Sequence, residues 1–261
     1  LKKHYYNEGV LAESIQLDFE RGQNRQSEPI AYYNFDNHNV LQVLFKEDEL
    51  EIEDDSIEIP SSVEENTPFI ELENTVTYNL PEGMVALTFD DGPSEYTKEI
   101  IDILKEYNVG GTFFLVGYNV EQYPDYVNYI HSNGYSVGSH SIRHSDMATL
   151  SYEEQESELV NSIEMLKEIV DDDVNLFRPP YGSYNNKLIN LAIEHEYKIV
   201  LWNNDPEDWK SRDVDKIFEA IKNTNTSGAI ILLHESQAVI DSLPKVIEYL
   251  LEQNLEIVNL K

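Results

Sequence analysis

Val85-Ala-Leu-Thr-Phe-Asp-Asp-Gly-Pro93 is the stretch on which the reading of this chain turns. Residues 85–89 are apolar or β-branched and make a strand, two adjacent carboxylates end it, and Gly92-Pro93 turns the backbone away. Neighbouring residues leaving a strand point in different directions, so Asp90 and Asp91 can do different work. One can ligate a metal while the other stays free to take a proton. Taken alone, the Asp-Gly step also reads as an ordinary turn, so its meaning depends on what the rest of the chain sets beside it.

Outward from this strand, short apolar runs recur at residues 112–116, 136–138, 176–177, 199–202, 229–233 and 256–260. Between them lie amphipathic stretches. Residues 96–107 put Ile100, Ile101, Ile103 and Leu104 on one face, with Ser94 as the expected N-cap. Residues 151–170 open Ser-Tyr-Glu-Glu, a capping-box pattern, and repeat Leu159, Ile163, Leu166 and Val170 at helical spacing. Residues 186–196, 214–223 and 243–253 read the same way, the last with Pro244 in its first turn. Seven strands alternating with helices imply an α/β fold with a parallel sheet. Because the polar motifs fall just after the strands, a (β/α) barrel is expected over a doubly wound sheet: barrel enzymes build their sites where the loops converge over the strand ends.

Residues 1–80 differ. Runs at 31–35 and 40–45 suggest strands, and eight of the twelve residues 47–58 are acidic. They read as a small β-containing extension followed by an acidic linker, with residues 81–261 forming the main domain. The whole chain carries 50 acidic against 18 basic side chains in 261 residues, a formal charge of −32. Such a surface repels polyanions and argues against nucleic acid or an anionic membrane face as partner. Cysteine is absent, which excludes disulfides, thiolate metal sites and cysteine nucleophiles, so any metal must sit on His and carboxylate. No run approaches the ~20 apolar residues of a membrane helix. The chain starts at Leu1 without Met, so a signal or anchor segment is expected to have been removed.

Four further motifs follow Thr88-Phe-Asp-Asp-Gly92 in order: His140-Ser-Ile-Arg-His144, Arg178-Pro-Pro-Tyr181, Asp205-Pro-Glu-Asp-Trp209 and Leu232-Leu-His234. Imidazoles four apart fall on one face of a helical turn and can share an ion. Arg178 can hold a carboxylate through a paired hydrogen bond, and the backbone N–H of Tyr181 can face a developing oxyanion. An Asp beside Trp209 can orient a histidine while the indole walls a sugar groove. His234 ends an apolar strand, reachable from the site, and its ordinary pKa near ~6.5 suits proton transfer. His4, His38, His131 and His195 read as structural or solvated. Singly, most of these motifs have bland readings as turns, caps and surface loops; their order is what carries weight.

Taken together, residues 84–261 resemble the NodB-homology polysaccharide deacetylases, carbohydrate esterase family 4. The resemblance implies a distorted (β/α) barrel and removal of acetyl groups from a polysaccharide by metal-activated water. Asp91, His140 and His144 match the metal triad, Asp90 the catalytic base and Arg178 the residue that orients it. His234 matches the general acid and Asp208 its partner. The Tyr181 N–H matches the oxyanion donor, and Trp209 and Leu232 the walls around the acetyl methyl group. The implied cofactor is one divalent ion, Zn2+ first, with Co2+, Ni2+ or Mn2+ also compatible with the donor set. The implied substrate is a polymer containing N-acetylglucosamine, peptidoglycan or chitin-type, met outside the cell or at its surface by a monomeric enzyme. Acetyl-xylan esterase and a non-catalytic carbohydrate-binding protein are the alternatives. One departure stands out: Glu235-Ser236 follows His234 where the family frequently has Asp, and it is expected to alter the groove rim.

Overall fold

In a computed structural model, residues 67–261 are described. The strands expected at 31–35 and 40–45 and the acidic run at 47–58 lie outside them. Two strands arise earlier than residue 81, within the stretch expected as linker: β1 (Phe69–Ile70) and β2 (Val76–Thr77). Then come β3 (Met84–Gly92), α1 (Thr97–Tyr107), β4 (Thr112–Leu115), α2 (Gly117–Gln122), α3 (Pro124–Ser132), β5 (Ser136–Ser139) and α4 (Tyr152–Val170). They are followed by β6 (Leu176–Phe177), α5 (Asn186–Glu194), β7 (Lys198–Val200), α6 (Asp208–Ser211), α7 (Val214–Lys222), β8 (Ala229–His234), α8 (Gln237–Glu252), β9 (Glu256–Ile257) and β10 (Asn259–Leu260).

All strand pairs are parallel, and the sheet runs β2-β7-β6-β5-β4-β3-β8, with β9 on β3. The chain after β7 closes the far side: Asn204 bridges Ile231, and the Leu232 N–H donates to the Asn204 carbonyl at 2.9 Å. The result is the expected barrel, distorted where an irregular segment stands in for regular pairing. β1 pairs with β10 and β2 with β7, so residues before 81 are built into the sheets.

Side-chain alternation sorts the core into two layers. Val85, Leu87 and Phe89 of β3 point outward and pack with Phe113, Leu115, Phe177, Ile231 and the apolar stripes of the helices. Ala86 points inward with Phe114, Leu176, Val200 and Ile230. Thr88 and Asp90 continue that inner row, and both are buried.

Two helix starts differ from expectation. Tyr96, not Ser94, is the N-cap of α1, and the Ser94 hydroxyl is directed to Glu235 instead. α8 begins at Gln237 behind the cap Ser236, so Pro244 lies inside it. Val239, Ile240, Leu243, Val246, Ile247 and Leu250 form one continuous buried stripe across the proline. Burial of each side chain is worth ~1.5–3 kcal/mol, and the six together outweigh the ~3 kcal/mol that an interior proline costs. The Ser151–Glu154 capping box of α4 forms as expected.

Candidate metal centre and its surroundings

Asp90 enters the barrel interior because it continues the inward row of β3, and Arg178 meets it there. Arg178 follows β6 and is completely buried. Its Nη1 donates to Asp90 Oδ1 and to Thr88 Oγ1, both at 2.7 Å. Nε donates to the Val200 carbonyl at 3.1 Å and Nη2 to that of Leu201 at 3.2 Å. The guanidinium also lies 4.1 Å from the centroid of the Phe114 ring. The paired bond expected from sequence is therefore a single one, because the other N–H groups serve the backbone around β7. Such a buried ion pair is tolerated only when its polar atoms are satisfied this fully.

Asp91 leaves the strand in the opposite sense. The β3–β4 register shifts between Asp90 and Gly92, and Asp91 adopts φ 68°. This left-handed residue turns its carboxylate out of the barrel, where 47% of the side chain is exposed. Asn119 Nδ2 pins the Asp91 carbonyl at 2.8 Å.

His140 and His144 sit on a loop after β5, not on the helical turn expected from their spacing. Ser141 (φ 65°) and His144 (φ 57°) are left-handed, and these two reversals bring the ring centroids to 4.9 Å. His140 Nδ1 donates to the Arg178 carbonyl at 2.7 Å, which fixes its tautomer and leaves Nε2 with a lone pair. Burial holds this imidazole below its ordinary value despite the charges of Asp90 and Asp91. His144 Nε2 lies 3.2 Å from Asp91 Oδ1, and His140 Nε2 lies 3.6 Å from the same oxygen. The hydrogen bond to Asp91 raises His144. Burial alone would raise Asp91, but the His144 bond and the neighbouring imidazoles bring it below the ordinary carboxylate value.

Ligand atoms of Asp91, His140 and His144 all lie within 4.8 Å of one another. Two neutral-capable imidazoles and a carboxylate fit a divalent ion of the zinc class. Asp90 Oδ2 stands 3.7 Å from His140 Nε2, beside the triad but held by Arg178.

On the opposite wall, His234 ends β8 directly across from Asp90 in the β3–β8 register. Asp208 is fully buried at the start of α6. Its Oδ1 accepts from His234 Nδ1 at 3.0 Å and its Oδ2 from the His234 backbone N–H at 3.1 Å. Burial pulls the His234 imidazole down, but Asp208, with the fields of Asp90 and Asp91, overcomes this and raises it to about 9. Tyr181 has φ 61°, and its N–H has no acceptor among the described residues. The residue is 69% exposed and its hydroxyl lies 3.2 Å from His144 Nδ1. Trp209 is 54% exposed next to Asp208, while Leu232 is buried on β8. Glu235 lines a cleft with Pro93, Tyr96 and Tyr123, and its Oε2 accepts from the Ser94 and Thr97 hydroxyls.

One supporting residue escaped the sequence reading. Glu158 of α4 is buried and accepts the backbone N–H groups of Ile142 and Arg143 at 2.9 and 3.0 Å, shaping the loop between the two histidines. An acid standing on the buried stripe of α4 beside Leu159 was the available signal.

Residues 77–200 match the family model described as polysaccharide deacetylase. The chain is 35% identical over 189 residues to a peptidoglycan-N-acetylglucosamine deacetylase of Bacillus cereus, covering 70% of this chain and 68% of that protein. It is 34% identical over 188 residues to the peptidoglycan-N-acetylmuramic acid deacetylase PdaC of Bacillus subtilis, covering 71% and 39% respectively. Among solved structures, a mutant of a Bacillus anthracis CE4 family pseudoenzyme with restored enzymatic activity is similar at TM-score 0.69 and 31% identity, over 72% of this chain and 70% of that one.

Proposed function

Because the chain belongs to the polysaccharide deacetylase family, we propose that it hydrolyses the N-acetyl groups of N-acetylglucosamine in a polysaccharide, with peptidoglycan the first substrate and chitin-type oligomers the second. The observation that carries this reading is the convergence of Asp91, His140 and His144 within 4.8 Å, beside a carboxylate and an imidazole that the triad leaves unused. Wall glycan as substrate puts the work at the cell surface or outside. No helix among the described residues is long and apolar enough to cross a membrane.

An amide carbonyl is a poor electrophile and water a poor nucleophile at neutral pH. A divalent ion on Asp91, His140 and His144 would lower the pKa of water from ~15.7 towards ~7 and polarise the acetyl carbonyl. The protein supplies the rest. Asp90, aimed by Arg178, takes a proton from the attacking water. The Tyr181 N–H donates to the oxygen on which negative charge develops. His234, kept protonated by Asp208, delivers a proton to the departing nitrogen, which would otherwise leave as a strongly basic anion. Trp209 and Leu232 bound the space for the acetyl methyl group.

Acetate release from peptidoglycan, N-acetylchitooligosaccharide and acetylated xylan, each with and without chelator, tests the reading. Chelator-sensitive release from the first two is expected, and mass analysis of digested peptidoglycan assigns the deacetylated sugar as glucosamine or muramic acid. Release from xylan alone would replace the reading with an esterase. Binding to glycan without release from any of the three would favour a carbohydrate-binding protein.

A further inference from the structure

Glu235 follows the proposed acid His234, yet its side chain crosses to the neighbouring strand's exit. Oε2 accepts from the Ser94 hydroxyl at 2.5 Å and the Thr97 hydroxyl at 2.6 Å. Oε1 is fully enclosed and has no hydrogen-bond partner among the described residues. An enclosed carboxylate oxygen without a donor is costly, so its burial needs a reason. The surroundings offer one. A Cβ placed on Gly92 would stand 2.1 Å from Oε1, so the carboxylate lies directly against the backbone that carries Asp90 and Asp91. The Ser94 N–H donates to Thr97 Oγ1 at 2.8 Å, and Thr97 is the first residue of α1. Glu235 therefore joins the end of β8 to the turn after β3 and to the start of α1, where a negative charge is also favourable.

We propose that Glu235 is a positioning residue: its carboxylate, bound to Ser94 and Thr97 and packed on Gly92, fixes the turn bearing Asp90 and Asp91 relative to His234. It touches no reacting atom. It acts through the metal ligand and base on one side and the acid on the other. The inference rests on the deacetylase reading of the site. Gln at this position can still accept from both hydroxyls through its amide oxygen. Ala cannot, and it leaves the buried Thr97 hydroxyl and the half-buried Ser94 hydroxyl without their acceptor.

The test uses the full chain, stripped of metal and titrated with Zn2+ by calorimetry, alongside kcat and KM for acetate release from N-acetylchitooligosaccharide. Relative to the unsubstituted protein, Glu235→Ala is expected to weaken Zn2+ binding and lower kcat by ~10–100-fold each, with KM within about twofold. Glu235→Gln is expected to stay within about threefold on both. Ser94→Ala/Thr97→Val, which removes both donors and leaves the carboxylate, should reproduce the alanine phenotype and serves if Glu235→Ala fails to fold. Unchanged Zn2+ affinity and kcat in the variants, or equal losses in Gln and Ala, overturn the proposal. Zn2+ binding without acetate release by the unsubstituted chain would sink the deacetylase reading alone, since the affinity arm still reads Glu235. An unsubstituted chain that binds no Zn2+ overturns both.

Discussion

Asp208 holds His234 by two bonds at once, Oδ1 on the imidazole Nδ1 at 3.0 Å and Oδ2 on the backbone N–H at 3.1 Å. The ring can then neither rotate nor choose its tautomer, and its charge is stabilised from behind while Nε2 is left for the site. Burial works against the imidazolium, and the carboxylates overcome it, lifting the group from 6.5 to about 9. In the metal-free protein, NMR titration should find His234 protonated well past neutrality. Asp208→Asn should lower it markedly, because burial is then opposed only by the fields of Asp90 and Asp91. The sign for stability follows from linkage: a pKa raised by folding stabilises fully below the unfolded value and loses that contribution as pH climbs through about 9. The shift corresponds to about 3 kcal/mol, so the stability gap between the two proteins should be widest below pH ~6.5 and close towards alkaline pH. A His234 titrating at its ordinary value in the unsubstituted protein would contradict this.

Arg178 is a completely buried charge, with contacts to Asp90, Thr88 and the Val200 and Leu201 carbonyls. Arg178→Ala should cost ~3–5 kcal/mol, because it leaves a carboxylate and two carbonyls buried without donors. Arg178→Lys should recover only part of this, since a single ammonium cannot reproduce the fork or the stacking on Phe114. Urea unfolding measures both. A lysine variant as stable as the arginine protein would mean that charge alone suffices.

Much of this is legible in the sequence. Strand runs gave the barrel because alternation and turn residues are local signals. The motif order brought Asp91, His140 and His144 together because each motif sits where a strand ends on the same face. The misses have a common cause in non-local geometry. The histidine pair reads as a helical turn only if Ser141 and His144 keep ordinary φ values, and both are left-handed. The bonds of Glu235 to Ser94 and Thr97 cannot be read until β8 is known to lie beside β3. Pro244 reads as a helix start, whereas packing of the stripe around it carries α8 back to Gln237.

Asp90 and Asp91 are adjacent in sequence but differ in burial and partners, so their substitutions should separate. Asp91→Ala should lose Zn2+ binding and turnover together. Asp90→Asn keeps an oxygen for Arg178 Nη1 and should bind Zn2+ close to normally, while kcat falls ~10²–10⁴-fold for want of a base. Metal analysis after dialysis, paired with acetate release, distinguishes them. Equal metal loss in both would merge the two roles.

Glu158 offers a test of whether the histidine loop is built from a distance. Its Oε2 binds the N–H groups of Ile142 and Arg143, and its Oε1 accepts from Arg143 Nη1 at 2.7 Å. Nothing links it directly to Asp91, His140 or His144, so a change in metal binding must travel through the backbone between the two histidines. Glu158→Gln can satisfy only one of the two roles with its amide oxygen and presents an NH2 group to the other donors. Zn2+ affinity should fall ~10–100-fold, with most of the secondary structure retained by circular dichroism. The loss should appear as a weakened equilibrium constant and not as a fractional occupancy, because all three ligands remain. If the variant binds Zn2+ as tightly as the unsubstituted chain, the left-handed turns at Ser141 and His144 hold the loop by themselves, and Glu158 only seats α4 against it.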